Sequence, residues 1–440
     1  MSKFRQQHMS IMWHEISDKD SDIPAVKASL HEKAGLVGRV GLMLLSVGAG
    51  AFRVRAAMNK ISRALNITCN ADIGIKSVEY TCIEGAESCT NALSNVTYGV
   101  NTDKLHLMEM FCDGFSERAD KYSIDRFHKM LDTIQKGKGN YNTLLASLAS
   151  GAACAAFAFL LGGHLIDIIC SFFAAAVGFG IRKELIKRHL TLFANTSIAV
   201  LASCLIYIGL INVIDYASGT PFDYQAGYIC SVLFLIPGFP LITGGIDLAK
   251  LDLRSGIERI TYAFLVILVA STTAAFAASL FNFCPEEFTV YEINETLRYL
   301  LIAVTSFIGV FGFSVLFNST PRMAATAGII GMFANTFRMV LINEFGIGVN
   351  IAAFCGALLA GLLASSIKRF IGFPRITLTV PSIVIMVPGM FMYKGVYYIS
   401  TGMFSDGLNW LGKALIIVVS LPLGLVFARI ITDRNFRQSS

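Results

Sequence analysis

The chain has 440 residues, 54% hydrophobic and only 15% charged, with a mean hydropathy of +0.61 and a formal net charge of +6. Charge is unevenly placed: 34 of the 66 charged residues lie in the first 140, and the remaining 300 carry apolar runs long enough to span a bilayer. This is a polar domain joined to a polytopic membrane domain, and without any basic-aromatic run the positive balance argues against nucleic acid as a partner.

Residues 1–30 form a polar tail that lacks the apolar core of a secretory signal, so the N-terminal part is expected to stay in the cytoplasm. Residues 31–140 are expected to be a cytoplasmic α+β domain. Apolar residues from Leu36 to Leu65 recur at the three-and-four spacing of one helix face, with Arg39, Arg53, Arg55, Lys60 and Arg63 between them. Residues 66–100, rich in β-branched residues and turn formers, predict three short strands, and helices follow near 102–121 and 123–136. No GxSxG, Walker loop or HExxH occurs, so neither an enzyme nor a cofactor nor a metal site is expected. Asn66 and Asn95 open glycosylation sequons on the expected cytoplasmic side and are taken as chance. The ten cysteines show no CxxC or Cys/His ligand spacing and read as small buried hydrophobes of a reducing compartment.

Ten spans are expected, near 143–161, 164–181, 191–213, 225–246, 260–283, 298–317, 323–342, 348–367, 376–395 and 410–430. With the N-terminus inside, fourteen basic residues fall on inner segments and three on outer ones, which places both termini in the cytoplasm. The outer loop at 284–298 is then acidic, and Tyr216, Tyr224, Tyr299 and Trp410 fall at outer span ends.

The spans divide into two sets of five, residues 141–290 and 291–440. LIPGFPLITGGIDL (Leu235 to Leu248) and MVPGMFMYKGVYYI (Met386 to Ile399) each place a Pro-Gly pair inside an apolar span, 151 residues apart. Phe157 to Leu185 aligns without gaps to Phe313 to Leu341 at an offset of 156, which sets Arg182 on Arg338. An odd number of spans per repeat inverts the second copy, so the expected fold is an α-helical polytopic membrane protein of ten transmembrane helices in two inverted five-helix repeats.

Three segments carry a family resemblance: LMLLSVGAGAFRVRAAMNKISRALNI (Leu42 to Ile67), LIPGFPLITGGIDLAKLDLRSGIERI (Leu235 to Ile260), and FGFSVLFNSTPRM (Phe311 to Met323) with the Pro-Gly of the ninth span. The chain resembles the threonine/serine exporter family, related to a two-subunit bacterial succinate exporter whose partners correspond to the two halves fused here. One departure stands out: the family helix often has an acidic residue after its arginine, whereas Val54, Arg55 and Ala56 follow Arg53. The resemblance implies export of small hydrophilic metabolites driven by the proton motive force, from a multi-pass protein of the cell inner (plasma) membrane.

The candidate substrate pathway is Pro237, Gly238, Pro240, Gly244, Pro388 and Gly389, where broken helices expose backbone and helix ends. Asn318, Asn335 and Arg338 join it as polar groups at membrane depth. Asp167 and Asp247 are candidates for proton coupling, although Asp247 also reads as a cap or anchor of its loop. The expected partners are a small-molecule substrate, protons and the lipid bilayer; homo-oligomerisation is left open. Threonine and serine are the leading substrates, succinate or another dicarboxylate the alternative, and a membrane-anchored sensor or regulator the reading from a different class. Broken helices packed without a cavity would favour the sensor.

Overall fold

Ser29 starts the first helix of the N-terminal unit with a capping box, its hydroxyl accepting from the Glu32 amide while the Glu32 carboxylate accepts from the Ser29 amide. In the computed structural model, residues 11–15, 23–95, 98–219, 225–281 and 294–437 are described. Residues 1–10 and 16–22 of the polar tail, Tyr224, the sequon residues Val96 and Thr97, the end of the fifth expected span and residues 284–293 of the acidic loop lie outside them. The chain forms two units. One comprises Met1–Gly139 with Asp247–Arg259, the other Asn140–Ile246 with Ile260–Ser440.

In the first unit, α1 (Leu30–Ser46) and α2 (Ala51–Ala64) precede a meander of β1 (Thr68–Ile73), β2 (Ser77–Glu84) and β3 (Glu87–Ser94), followed by α3 (Thr102–Asp113) and α4 (Ile124–Lys136). The small sheet domain expected from the sequence is present. The single helix face expected over 36–65 is broken: Gly48 has φ +95°, a conformation that costs glycine nothing, and Gly50 caps a new helix. The helix expected over 102–121 stops at Asp113. The turn beyond it folds Phe115 back against Phe127, with ring centroids 4.4 Å apart, and against Phe111. Helices α1 and α2 cover one face of the sheet. Leu36, Val37, Val40, Met58, Val78 and Tyr80 are buried there, and full burial of each such aliphatic contributes about 1.5–3 kcal/mol. Tyr80 donates to the Ala34 carbonyl at 2.8 Å over Gly38, where a Cβ would clash with the ring.

Arg39 is buried in this core, and His128 and Asp132 of α4 accept from its guanidinium, which offsets part of the desolvation cost. Burial and the nearby Arg39 charge push His128 down to about 4, so its imidazole stays neutral in the fold.

The second unit is helical: α5 (Thr143–Leu160), α6 (Leu165–Lys187), α7 (Leu192–Ser218), a 3-10 helix (Gln225–Leu235), α8 (Gly238–Ala249), α9 (Leu253–Phe281), α10 (Glu295–Leu316), α11 (Pro321–Asn343), α12 (Val349–Ile371), α13 (Arg375–Val384), α14 (Gly389–Ser400) and α15 (Phe404–Thr432). The last residues of α8 and the first turns of α9 belong to the first unit. Eight of these helices are long and apolar enough to cross a membrane, or up to ten spans if each of two bent pairs counts as one. The chain is a multi-pass helical membrane protein.

Small residues let α10 and α5 pack closely. A Cβ at Gly312 of α10 would lie 3.0 Å from that of Ala153 on α5, and one at Gly309 would lie 3.3 Å from that of Ala156. The Phe157 and Phe313 rings meet edge-on beside them, centroids 5.7 Å apart. At the offset of 156, Ala153 corresponds to Gly309 and Ala156 to Gly312, so each contact is the other with its helices exchanged.

Candidate functional site

Both Pro-Gly pairs break their spans, and they do so with the same hydrogen bonds. Proline has no amide hydrogen, so Pro237 cannot donate to the Leu233 carbonyl, which accepts instead from the Ile236 amide at 3.1 Å. The Gly238 amide then donates to Ile236 at 2.8 Å, and Pro237 offers its own carbonyl to Leu241 at 3.1 Å. In the second copy Val384 accepts from Val387 at 3.0 Å, Gly389 donates to Val387 at 2.8 Å and Pro388 accepts from Met392 at 3.1 Å. Every residue in this set has its counterpart 151 positions away. The bends differ little, 59° for the first pair and 49° for the second.

The two breaks also pack on each other. A Cβ at Gly238 would lie 3.2 Å from Val384 and 3.4 Å from Val387; one at Gly389 would overlap Ile236 and lie 3.0 Å from Leu233. These contacts are reciprocal at the same offset, as in a two-fold interface. Tyr228 and Tyr393 join the pair through their hydroxyls, buried from solvent. Neither tyrosine is singled out by the sequence, because the partner lies 165 residues away and no local pattern marks it.

Two cavities border the crossing. One is lined by apolar residues of both broken spans, by Ile267, Ala270 and Ser271 of α9, and by Tyr393. The other is lined by the break itself, Ile385 to Phe391, and by Phe157, Leu233 and Arg338. Arg338 is the one charged residue of that lining. It projects from α11, where its Nε donates to Asn335 Oδ1 at 3.0 Å while Asn335 Nδ2 donates to Ser306 Oγ at 2.8 Å. Among the described residues no carboxylate forms an ion pair with Arg338. A guanidinium held from behind by an amide, with donors left for a ligand, can take a carboxylate in bidentate geometry.

The remaining candidates are dispersed. Pro240 and Gly244 are buried in α8 just past the first break. Asn318, with φ +58°, ends α10 and ties its side-chain oxygen to the Asn140 amide at 2.8 Å, apart from the cavity lining. Arg182, aligned with Arg338 in the sequence, has a buried Nε with no hydrogen-bond partner among the described residues and does not line the cavity.

The two aspartates have different surroundings. Asp167 is buried near the N-terminus of α6, accepting from the Tyr207 hydroxyl at 2.7 Å and the His164 amide at 2.8 Å. Gly227, at the entry to the first broken span, lies directly over it; a Cβ there would stand 2.2 Å from Asp167 Oδ1. No lysine or arginine pairs with it among the described residues. Asp247 belongs to the first unit and is fully engaged: Arg259 Nε lies 3.2 Å away, Ser255 Oγ donates at 2.9 Å, and the Ala51 amide at the start of α2 reaches both carboxylate oxygens at 3.1 and 3.2 Å. Arg259 in turn donates to the Ala49 carbonyl at 2.6 Å and to the Tyr98 hydroxyl at 3.1 Å. Those are the partners of an anchor: a carboxylate on a helix N-terminus and a buried guanidinium that closes the turn between α1 and α2.

Two family patterns match the chain. One, described as "Putative threonine/serine exporter", covers residues 35–281, and "Threonine/Serine exporter, ThrE" covers residues 302–431. The "Probable succinate transporter subunit YjjP" of Escherichia coli K12 is 28% identical over 249 residues, 55% of this chain and 92% of the relative. The "Probable threonine/serine exporter" of Mycobacterium tuberculosis is 20% identical over 417 residues, 90% of this chain and 75% of the relative. A "Pheromone-regulated membrane protein 10" of Candida albicans is 23% identical over 61% of this chain, which spans 24% of that protein. No solved structure matches.

Proposed function

Because the chain belongs to the threonine/serine exporter family of membrane transporters, which are not enzymes, we propose that it exports threonine and serine from the cytoplasm by alternating access, driven by the proton motive force. The observation that carries this reading is the cavity at the crossing of the two breaks, which contains one guanidinium and the interrupted backbone. The amino-acid carboxylate lies on Arg338, and its ammonium group faces carbonyls of the segment from Ile385 to Pro388. Pro237, Gly238, Pro240, Gly244 and Gly389 form the pathway around it, and Asn335 positions Arg338. Asn318, in the turn between α10 and α11, belongs to the same pathway and ties that turn to Asn140 ahead of α5.

The repeats proposed are residues 141–290 and 291–440, inverted with respect to each other, preceded by the tail 1–30 and a cytoplasmic domain 31–140. The shared hydrogen bonds at offset 151 and the exchangeable contacts at offset 156 support that symmetry, and alternating access follows from exchanging the two halves' conformations. Asp167 is the proposed proton carrier, since a buried carboxylate without a cation is costly while ionised. Asp247, partnered on every side, is proposed as the anchor and not the carrier. The proposed site of action is the inner membrane, with both termini cytoplasmic.

A dicarboxylate such as succinate is the second reading, favoured by the Escherichia coli relative. One cation in the cavity suits one carboxylate, which puts the amino acid first. The test is efflux from cells preloaded with a threonine- or serine-containing dipeptide, with and without a protonophore, following succinate in parallel. Protonophore-sensitive amino-acid efflux supports the reading; loss of intracellular succinate alone moves the chain to the dicarboxylate branch. Silence on both overturns the transport assignment.

A further inference from the structure

Three of the cysteines scattered along the sequence meet in one rung of the sheet. Cys69 of β1 stands opposite Cys82 of β2, and Cys82 stands opposite Cys89 of β3. Opposed residues of an antiparallel sheet point to the same face, here the face that also carries Val78 and Tyr80 under α1 and α2. A residue of a central strand is hydrogen-bonded to one neighbour and not to the other. The rung therefore contains one wide pair, with Cα atoms about 5.5 Å apart, and one narrow pair at about 4.5 Å. Both spacings fall within the range of Cα separations that a disulfide spans, about 4.4–6.8 Å.

The three thiols differ in access. Cys82 is fully buried, whereas Cys69 and Cys89 at the outer strands are half-buried. Cys89 accepts from Asn91 Nδ2 at 3.3 Å and lies 3.7 Å from His31 Nδ1. The Cys82 thiol bonds Cys69 and draws it below the ordinary thiol value, an effect opposed by burial and aided by Ser62. The same bond raises Cys82 well above that value. Among the described residues no group of His, Cys, Asp and Glu is arranged to hold a metal ion.

We propose that Cys69, Cys82 and Cys89 form a redox-active thiol rung in which a hydroperoxide oxidises Cys69 and Cys82 closes a disulfide onto it. The Cys69 thiolate attacks the peroxide, forming an S–O bond and breaking the O–O bond. Sulfur is oxidised by two electrons, and the departing alkoxide or hydroxide takes the Cys69 proton as alcohol or water. Cys82 then attacks the sulfenic sulfur. An S–S bond replaces the S–O bond, and hydroxide leaves with the Cys82 proton as water. Because Cys82 is shared, only one of the two cross-strand disulfides exists at a time, and Cys89 exchanges onto Cys82 with Cys69 as the leaving thiol.

The experiment uses the full-length protein in membranes, treated with hydrogen peroxide, blocked with an alkylating agent before unfolding, and analysed by peptide mass. The expected product is a crosslink between the Cys69 and Cys82 peptides, lighter by two hydrogens and reversed by a dithiol, while the deeply buried Cys112 and Cys154 stay unmodified. In Cys82→Ala the sulfenic acid has no partner within the rung, and trapping of Cys69 by dimedone rises by about ten-fold or more. Cys89→Ser, a near-isosteric change at a half-buried outer strand, keeps the crosslink and guards against misfolding of the first variant. After peroxide treatment, full alkylation of Cys69 before unfolding with Cys82 still a free thiol on unfolding, or oxidation no faster at Cys69 than at Cys112, overturns the proposal.

Discussion

The two broken spans have the same backbone and opposite surroundings. Around Pro237 and around Pro388 the chain makes the same three hydrogen bonds, because a missing amide and a following glycine leave few other ways to continue a helix. What differs is what each break carries. The first is entered from a 3-10 helix beside Asp167 and leads to the buried pair Asp247–Arg259 in the first unit; the second opens on a cavity with Arg338. A repeated backbone grammar thus carries different side chains on its two copies, and the proposed roles follow that difference: proton carrier and anchor on one copy, substrate cation on the other.

That contrast can be broken most sharply at Asp247. Asp247→Ala leaves Arg259 buried without its carboxylate, which costs about 3–5 kcal/mol, and the first unit is expected to lose most of its protease resistance. Full retention of that resistance would remove the anchor. Arg338→Ala is expected to lower threonine efflux about a hundred-fold, equivalent to about 2.7 kcal/mol, at normal membrane abundance, with Arg338→Lys in between because a point charge replaces the fork. Efflux at wild-type rate in both variants would empty the cavity of its role.

The glycines supply an internal control for the breaks. Gly389→Ala must displace Ile236 and is expected to cost about 1–3 kcal/mol of stability, whereas Gly238→Ala meets contacts that yield by a few tenths of an ångström and costs less than about 1 kcal/mol. Thermal unfolding in detergent that ranks them the other way would contradict the packing at the crossing. A similarly small structural effect is expected at Asp167→Asn, which forfeits one acceptor bond, about 1 kcal/mol, yet should make efflux insensitive to a protonophore. Protonophore-sensitive flux in Asp167→Asn would move the proton elsewhere.

Much of this architecture is legible before any coordinates. Apolar runs give the span positions, the Pro-Gly pairs give the two bends, and the offsets of 151 and 156 anticipate which residues correspond. Sequence reasoning goes wrong at the first helix, where an uninterrupted apolar stripe crosses Val47 to Gly50 while the backbone turns at Gly48. Periodicity does not register a reversal that keeps its stripe in phase. The sequence names Asp167 and Asp247 together as coupling candidates, with Asp247 also read as an anchor, and only their surroundings separate them: no cation pairs with Asp167 among the described residues, while Asp247 sits on a helix end with Arg259.

By itself the sequence determined those features whose cause is local: a proline without an amide hydrogen, a run of apolar residues, a glycine where a helix must turn, and the family to which these patterns belong. Only the tertiary structure decided which breaks touch, that Tyr228 meets Tyr393, that Asp247 belongs to the N-terminal unit, and that Cys69, Cys82 and Cys89 share one rung. Those pairings depend on strand register and helix packing across up to some two hundred residues, and hydrogen bonds and close packing over such separations leave no periodic trace along the chain.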